Sequence, residues 1–311
     1  MINNVKVFIV CLLLLLTSCV GKGGVKVQAE GMQAEHPQPV SELFDLQMIY
    51  SSDADRAIFD EYITHIGKLE SYQESELITE TARFFLNKPY VASTLEIEPE
   101  GLVVNLREFD CTTFVETVLA LSRTVINYDQ PLFDIFCRQL QNIRYRRGNV
   151  DSYTDRIHYF SDWIYENEIR GHVKDVTKET GGVPYQLKIS YMSTHPDSYK
   201  QLKSNKEYVE LIRKKESEIS ERDSYAIIPV AKISLCEEGM RNGDIVCFVT
   251  DIEGLDISHI GFVCHEKGVV TFIHASSSAR KVIVNPQSLL TYTEKNKRTT
   301  GIMIVRPRFW D

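Results

Sequence analysis

The chain has 311 residues, 43% hydrophobic and 25% charged, which is enough apolar material for one large or two modest globular domains and too much for a disordered chain. A formal charge of -8 and a pI near 5.6 exclude the basic surplus that nucleic-acid binders carry, so no nucleic-acid partner is expected. The one basic run, Arg144-Tyr145-Arg146-Arg147, is local and reads as a solvated helix end.

Residues 5–18 form an apolar stretch behind Lys6, too short for a comfortable membrane span and suited to a signal-peptide core. It ends in Leu16-Thr17-Ser18-Cys19, which resembles the bacterial lipoprotein processing site and implies cleavage followed by acylation of Cys19. The alternative is an ordinary secretory signal, since positive charge there is sparse. On either reading the mature protein leaves the cytoplasm, and on the first it is a membrane-anchored lipoprotein facing the periplasm. Residues 20–40, with Gly21, Gly23, Gly24, Pro37 and Pro39, read as a flexible tether, and residues 41–311 as the folded domain. Without Cys11 and Cys19 the remaining cysteines are Cys111, Cys137, Cys236, Cys247 and Cys264, an odd number with no C-x-x-C pair, so at least one thiol stays free.

Periodic apolar residues predict helices from Asp53 to Ile66 and from Glu76 to Leu86. Pro89 breaks the pattern, so Tyr90 falls in an irregular segment. Next comes Glu108-Phe109-Asp110-Cys111-Thr112-Thr113-Phe114-Val115-Glu116, in which Asp110, Thr112 and Thr113 are helix-start residues and the apolar positions from Phe114 onward follow helical spacing. Cys111 is thereby placed at the mouth of a buried helix. Open backbone N–H groups and the positive end of the helix dipole there favour a thiolate and can receive an oxyanion. Buried cysteines are also common as inert packing, so Cys111 becomes a candidate nucleophile only together with the rest of the pattern.

Residues 127–240 read as a large helical insertion, with helical patterns at 131–146, 152–169 and 197–222. Within Arg156-Ile157-His158-Tyr159-Phe160-Ser161-Asp162-Trp163, the pairs Tyr159 with Trp163 and His158 with Asp162 are four-residue neighbours on one predicted helix surface. That arrangement suits sugar or peptide recognition and equally suits a helix packed by its aromatics. The charge-rich stretch from Lys200 to Arg222 reads as a solvated helix.

From Gly243 the period becomes that of strands: residues 244–250, 258–264, 269–274, 281–284 and 301–305 predict an antiparallel sheet. A hairpin closed over His265-Glu266-Lys267-Gly268 pairs Cys264 with Val269 and, in the same register, His259 with His274 on one face. A bulge would make that pair diagonal, and an odd slip would turn one ring away. A cysteine with two imidazoles is the equipment of thiol hydrolysis: His259 takes the Cys111 proton and His274 fixes its tautomer. No third ligand stands at metal-binding spacing and no H-E-x-x-H occurs, so neither a metal nor a cofactor is expected.

With these residues in place the chain resembles the NlpC-like branch of papain-fold cell-wall hydrolases. The resemblance runs through Pro89-Tyr90, Phe109-Asp110-Cys111, Gly243-Asp244-Ile245-Val246, Ser258-His259-Ile260-Gly261 and His274-Ala275. More closely, Pro89-Tyr90-Val91-Ala92, the Cys111 stretch and the Arg156 to Trp163 stretch are similar to the N-acetylmuramoyl-L-alanine amidase-like family within that branch, over roughly residues 75 to 310. This implies an α+β fold, a papain-like core with the cysteine helix packed on an antiparallel sheet. It further implies Cys111 as nucleophile, His259 as base and His274 as orienting residue. Tyr90 and Asp110 would lie at the oxyanion and substrate side, with Arg156, His158, Tyr159, Asp162 and Trp163 as substrate-binding candidates. The expected activity is cleavage of the N-acetylmuramoyl-L-alanine bond of muropeptides through a thioester. The alternatives are a D-glutamyl-diamino acid endopeptidase acting on stem peptides and a non-catalytic lipoprotein that binds wall fragments.

Overall fold

A run of short elements frames the cysteine helix in this computed structural model, which describes residues 48–69 and 73–309. In chain order they are β1 (Ile49–Tyr50), α1 (Asp53–Ile66), α2 (Glu74–Phe84), β2 (Leu102–Val103), α3 (Cys111–Asn127), α4 (Phe133–Arg144) and α5 (Phe160–Ile169). Then follow β3 (Val173–Asp175), β4 (Val183–Pro184), α6 (Tyr191–Thr194), α7 (Lys200–Ser204), α8 (Lys206–Ser220), β5 (Ala226–Pro229) and α9 (Ile233–Cys236). The chain ends in β6 (Ile245–Thr250), β7 (Ile257–Glu266), β8 (Val269–Ser276), β9 (Lys281–Val284), α10 (Leu289–Lys295) and β10 (Thr299–Pro307).

The strands β4-β5-β10-β6-β7-β8-β9 form a sheet in that order, with β3 also paired to β10, and every pairing in it is antiparallel. The molecule is thus a mixed α+β structure. Residues 127–240, read from sequence as a helical insertion, also contribute β3, β4 and β5 to this sheet. These strands are two to four residues long, below the length at which alternation can be recognised.

Both faces of the central strands are covered, and every residue of β6 is buried. On one face Ile260, Phe262, Cys264, Ile273 and Ala275 pack in a cluster with Phe114, Val115 and Val118 of α3. On the other, Val246, Phe248, Val263 and Phe272 pack with Leu289 of α10, and Tyr292 lies against them. Rings of Phe85, Phe109, Phe114 and Phe262 meet edge to face at 5.0, 5.8 and 6.0 Å, fastening the start of α3 between α2 and β7. All described residues fall in one compact unit, Leu46–Asp311. The signal segment 1–19, the tether 20–40 and Cys19 lie outside the described residues. Among those described, no helix is long and apolar enough to cross a membrane.

Candidate active site

Cys111 is the first residue of α3, and Asp110 is its N-cap. The Asp110 carboxylate accepts from the Thr113 N–H at 2.8 Å and from the Thr113 hydroxyl at 2.9 Å, while that hydroxyl also accepts from the Asp110 N–H. The Phe114 N–H goes to the Asp110 carbonyl. Of the first-turn donors, those of Cys111 and Thr112 therefore remain for a ligand.

The same cap changes the electrostatics predicted for the thiol. Burial, and then the neighbouring Asp110 carboxylate, push the Cys111 thiol up to about 12, against the smaller opposing effects of the Ile260 N–H, the Thr112 hydroxyl and its own N–H. The sequence predicts a thiolate favoured by the helix start. In the structure Asp110 places a negative charge at that very point, and the resting thiol is neutral.

The electrostatic influence of the Ile260 N–H locates the sulfur. The Val263 N–H donates to Asp244, on the β6 side, so by alternation the N–H groups of Phe262 and Ile260 point to the β8 side. The pairing of β7 with β8 runs from Glu266↔Val269 to Phe262↔Ile273, although both strands continue beyond it. The Ile260 N–H therefore faces a gap where the strands have parted, near enough to the Cys111 sulfur to favour its ionised form.

His259 and His274 flank that gap, in contact. The His259 Nε2 and His274 Nδ1 atoms are 2.6 Å apart and the rings cross at 79°. The hairpin closes over Lys267 and Gly268, both at positive φ, rather than over four residues, which moves the register by two from the predicted one. An even shift keeps both rings on one face and makes the pair diagonal. Gly261 permits this: a Cβ there would lie 2.7 Å from the Ile273 carbonyl and 2.9 Å from the His274 Cβ. Burial holds His259 down at about 4; burial and then His259 hold His274 down at about 3, so both are neutral near pH 7.

Two tyrosines complete the site. Tyr90 is fixed by its N–H to the Arg280 carbonyl at 3.0 Å, and its neighbours Pro89 and Val91 exchange backbone bonds with Phe109, two residues before the cysteine. Burial and then Cys111 raise the Tyr90 phenol. Tyr292, on α10, was not singled out by sequence; its only signal was an aromatic in a short helix-like stretch. Its ring lies 5.9 Å from that of His274 and 6.3 Å from that of His259, and burial and then Cys111 raise its phenol too. Beside the imidazoles opens a cavity of about 200 Å³ edged by Ser258, Ser276, Ser277, Ser278 and Asn296. Among the described residues no hydrogen bond joins the sulfur to either imidazole, and no cluster of metal-ligating side chains is present.

The profile of the AmiA-like family, N-acetylmuramoyl-L-alanine amidase-like, matches residues 80–302, which include all of these residues. The chain belongs to this amidase-like family. An N-acetylmuramoyl-L-alanine amidase from Bacteroides uniformis ATCC 8492 is 37% identical with a TM-score of 0.73, the match covering 76% of this chain and 100% of that one. A Bacteroides fragilis protein provisionally named a xylanase is 38% identical with a TM-score of 0.70, over 73% and 99% of the two chains. A Legionella pneumophila protein at 23% identity and a TM-score of 0.62, over 82% and 94%, shares the fold. No curated protein matches the chain.

The remaining candidates of this amidase-like chain lie elsewhere than predicted. Helix α5 begins at Phe160 with Tyr159 as its extended N-cap, so His158 and Tyr159 precede the helix and the four-residue pairs do not form on its surface. Trp163 is wholly buried and stacks on Phe160 at 4.5 Å, and Tyr159 is buried with its hydroxyl donating to Glu216. Asp162, buried, is ion-paired to Arg146 and Arg222. These three are packing and charge-network residues, which corrects their assignment to substrate binding. Arg156 is buried too, bonded to the Leu95 carbonyl and paired with Glu96 and Glu100. His158 turns its Nε2 to the Tyr153 carbonyl at 2.9 Å, and burial holds it down at about 3.

Proposed function

We propose that this protein is a cysteine amide hydrolase that cleaves the N-acetylmuramoyl-L-alanine bond of peptidoglycan fragments, with a papain-like core of the NlpC type. The observation that carries the reading is the hydrogen-bonded His259–His274 pair beside the gap that holds the Cys111 sulfur. Family membership supports a peptidoglycan-derived substrate.

In the resting site the thiol and both imidazoles are neutral. Attack on the amide carbonyl forms the S–C bond as the thiol proton passes to His259 Nδ1, since Nε2 is held by His274. In this reading the N–H groups of Cys111 and Thr112 at the start of α3 stabilise the oxyanion, and the Tyr90 phenol, which feels the charge of Cys111, is a further donor. His259 then returns its proton to the leaving L-alanine amine as the C–N bond breaks. Water, deprotonated by the same imidazole, hydrolyses the thioester to the muramoyl acid and frees the sulfur. Contacts between sulfur and base commonly tighten only when substrate is bound.

Cys111→Ala is expected to abolish release of free stem peptide from defined muropeptides, read by mass spectrometry; unchanged turnover would overturn the reading. Product masses also separate this cut from one at the D-glutamyl-diamino acid bond. The proposal includes export as a lipoprotein, supported by residues 5–18 and Cys19. Labelled palmitate should enter the protein in bacterial cells and fail to enter Cys19→Ala; equal labelling of both would remove the anchor.

A further inference from the structure

The outer nitrogen of the imidazole pair is sealed off. His274 is 2% exposed, its Nδ1 is engaged by His259, and its Nε2 is buried with no hydrogen-bond partner among the described residues. What surrounds that ring is aromatic. Phe272 lies 4.5 Å from it at 41° and Tyr292 lies 5.9 Å from it at 72°, while Phe248 and Phe272 meet the Tyr292 ring at 5.1 and 4.9 Å. Phe248 and Phe272 are wholly buried. Tyr292 is the half-buried member of the three, and it lines the cavity of about 200 Å³ together with both imidazoles. It is thus the ring whose loss extends that cavity toward His274 Nε2.

Two neutral imidazoles joined by one hydrogen bond can hold their protons in two ways. In the first, His259 Nε2 donates to His274 Nδ1, and the His274 proton sits on its own Nε2. In the second, His274 Nδ1 donates to His259 Nε2, which leaves a lone pair on His274 Nε2 and a proton on His259 Nδ1. Only the first leaves His259 Nδ1 free to accept the thiol proton. Water at His274 Nε2 serves both, because it accepts from an N–H and donates to a lone pair. An aromatic face discriminates between them: it is the negative side of the ring quadrupole, so it receives an N–H and repels a lone pair.

We propose that Tyr292 is a positioning residue, whose ring keeps water from His274 Nε2, receives its N–H, and so holds the imidazole pair in the first arrangement. The near-perpendicular crossing of the two rings is the edge-to-face geometry of such a contact. The inference rests on the reading of His259 as the base. No charge competes with it. Around the pair stand the cavity serines, Asn296, the Tyr292 phenol and the Cys111 thiol, the last two both raised and neutral near pH 7. Burial and then His259 act on His274, and no carboxylate or cation contributes.

The test is nitrogen-15 NMR of the imidazoles in the full chain carrying Cys111→Ala, followed from pH 7 downward. His259 and His274 should each carry the proton on Nε2 at neutral pH and stay neutral to about pH 5. Adding Tyr292→Ala should leave His274 in both tautomers and raise the titration of the pair by about one pH unit or more; Tyr292→Phe, which keeps the ring, should restore both. Tyr292→Leu keeps apolar bulk without a ring face and serves if alanine unfolds the chain: it too should leave both tautomers. With the thiol present, Tyr292→Ala should lower kcat on a muropeptide about tenfold or more with KM nearly unchanged, and Tyr292→Phe should rescue it. A single Nε2–H tautomer of His274 in the alanine and leucine proteins overturns the proposal. So does a phenylalanine protein that behaves as the alanine one, which would make the hydroxyl, not the ring, the working group. The spectra are read without thiol or substrate, so the amidase reading can fail while this one stands.

Discussion

At the scale of single residues, the imidazole pair sets a protonation requirement. For His259 Nδ1 to accept a proton, its Nε2 must donate to His274 Nδ1, and the His274 proton then sits on its own Nε2, which is buried without a partner. The pair works as a base only while neutral. Because burial holds His259 at about 4, below the ordinary histidine value near 6.5, protonation removes activity only as pH falls through about 4. The expected kcat/KM is flat from about pH 7 down to about pH 5, with its acid limb near pH 4, measured on a muropeptide of fixed charge. His274→Ala opens the His259 ring to water and frees its tautomer. It should lower kcat by roughly 10²–10⁴-fold and move the acid limb up toward 6.5. An acid limb near 6.5 in the unaltered protein would show that His259 is solvated in the working enzyme.

At the scale of elements, α3 is held by more than its apolar face. Glu116 of α3 and Arg144 at the end of α4 form an ion pair, each side chain 2% exposed, with the Arg144 Nε to Glu116 Oε2 distance 2.7 Å and its Nη1 donating to the Val103 carbonyl at 2.6 Å. Burial raises the Glu116 carboxyl, and Arg144 opposes that rise. Removing one partner leaves an uncompensated buried group, so Arg144→Met should destabilise the protein by roughly 3–5 kcal/mol in urea unfolding. Adding Glu116→Leu should recover much of the loss; no recovery would mean that the Val103 contact dominates. Neither role is visible in sequence, where Arg144 belongs to a basic run that looks solvated. What sequence does show is what local periodicity controls: the start of the cysteine helix, the five β-rich runs from Gly243 onward, and the shared face of His259 and His274. The register was missed by two because Lys267 and Gly268 alone make the turn, and nothing in the alternation distinguishes a two-residue from a four-residue closure. Tyr292 was missed because its relation to the imidazoles is created by α10 packing across β6 and β8, a contact between elements distant in the chain. In the Tyr159 and Trp163 stretch the spacing was compatible with either burial or exposure, and burial prevailed once Glu216 met the Tyr159 hydroxyl.

At the scale of the whole molecule, burial of neutral histidines couples folding to pH. His158, His172 and His274 are held at about 3 and His259 at about 4, in each case by burial first, whereas an unfolded chain protonates them near 6.5. Between those values the unfolded state binds more protons than the folded one, so these groups make stability fall as pH drops from about 6.5 toward 4. Burial also raises the carboxyls of Glu100, Glu116, Asp175 and Asp256, so that on acidification they take up protons at higher pH than in the unfolded chain; this acts in the opposite sense. Total slopes therefore mix two sets of groups, and a single histidine away from Cys111 isolates one of them. His172 serves: its backbone ties Asn167 to Arg308, its Nδ1 is buried without a partner, and Arg123 and Arg170 add to the burial that keeps it neutral. His172→Gln keeps the size and removes the titration, so the difference in unfolding free energy between pH 7 and pH 5 should shrink by about 2 kcal/mol relative to the unaltered protein. Urea unfolding at the two pH values measures it. An unchanged difference would mean that the imidazole is already charged, or already wet, in the folded protein.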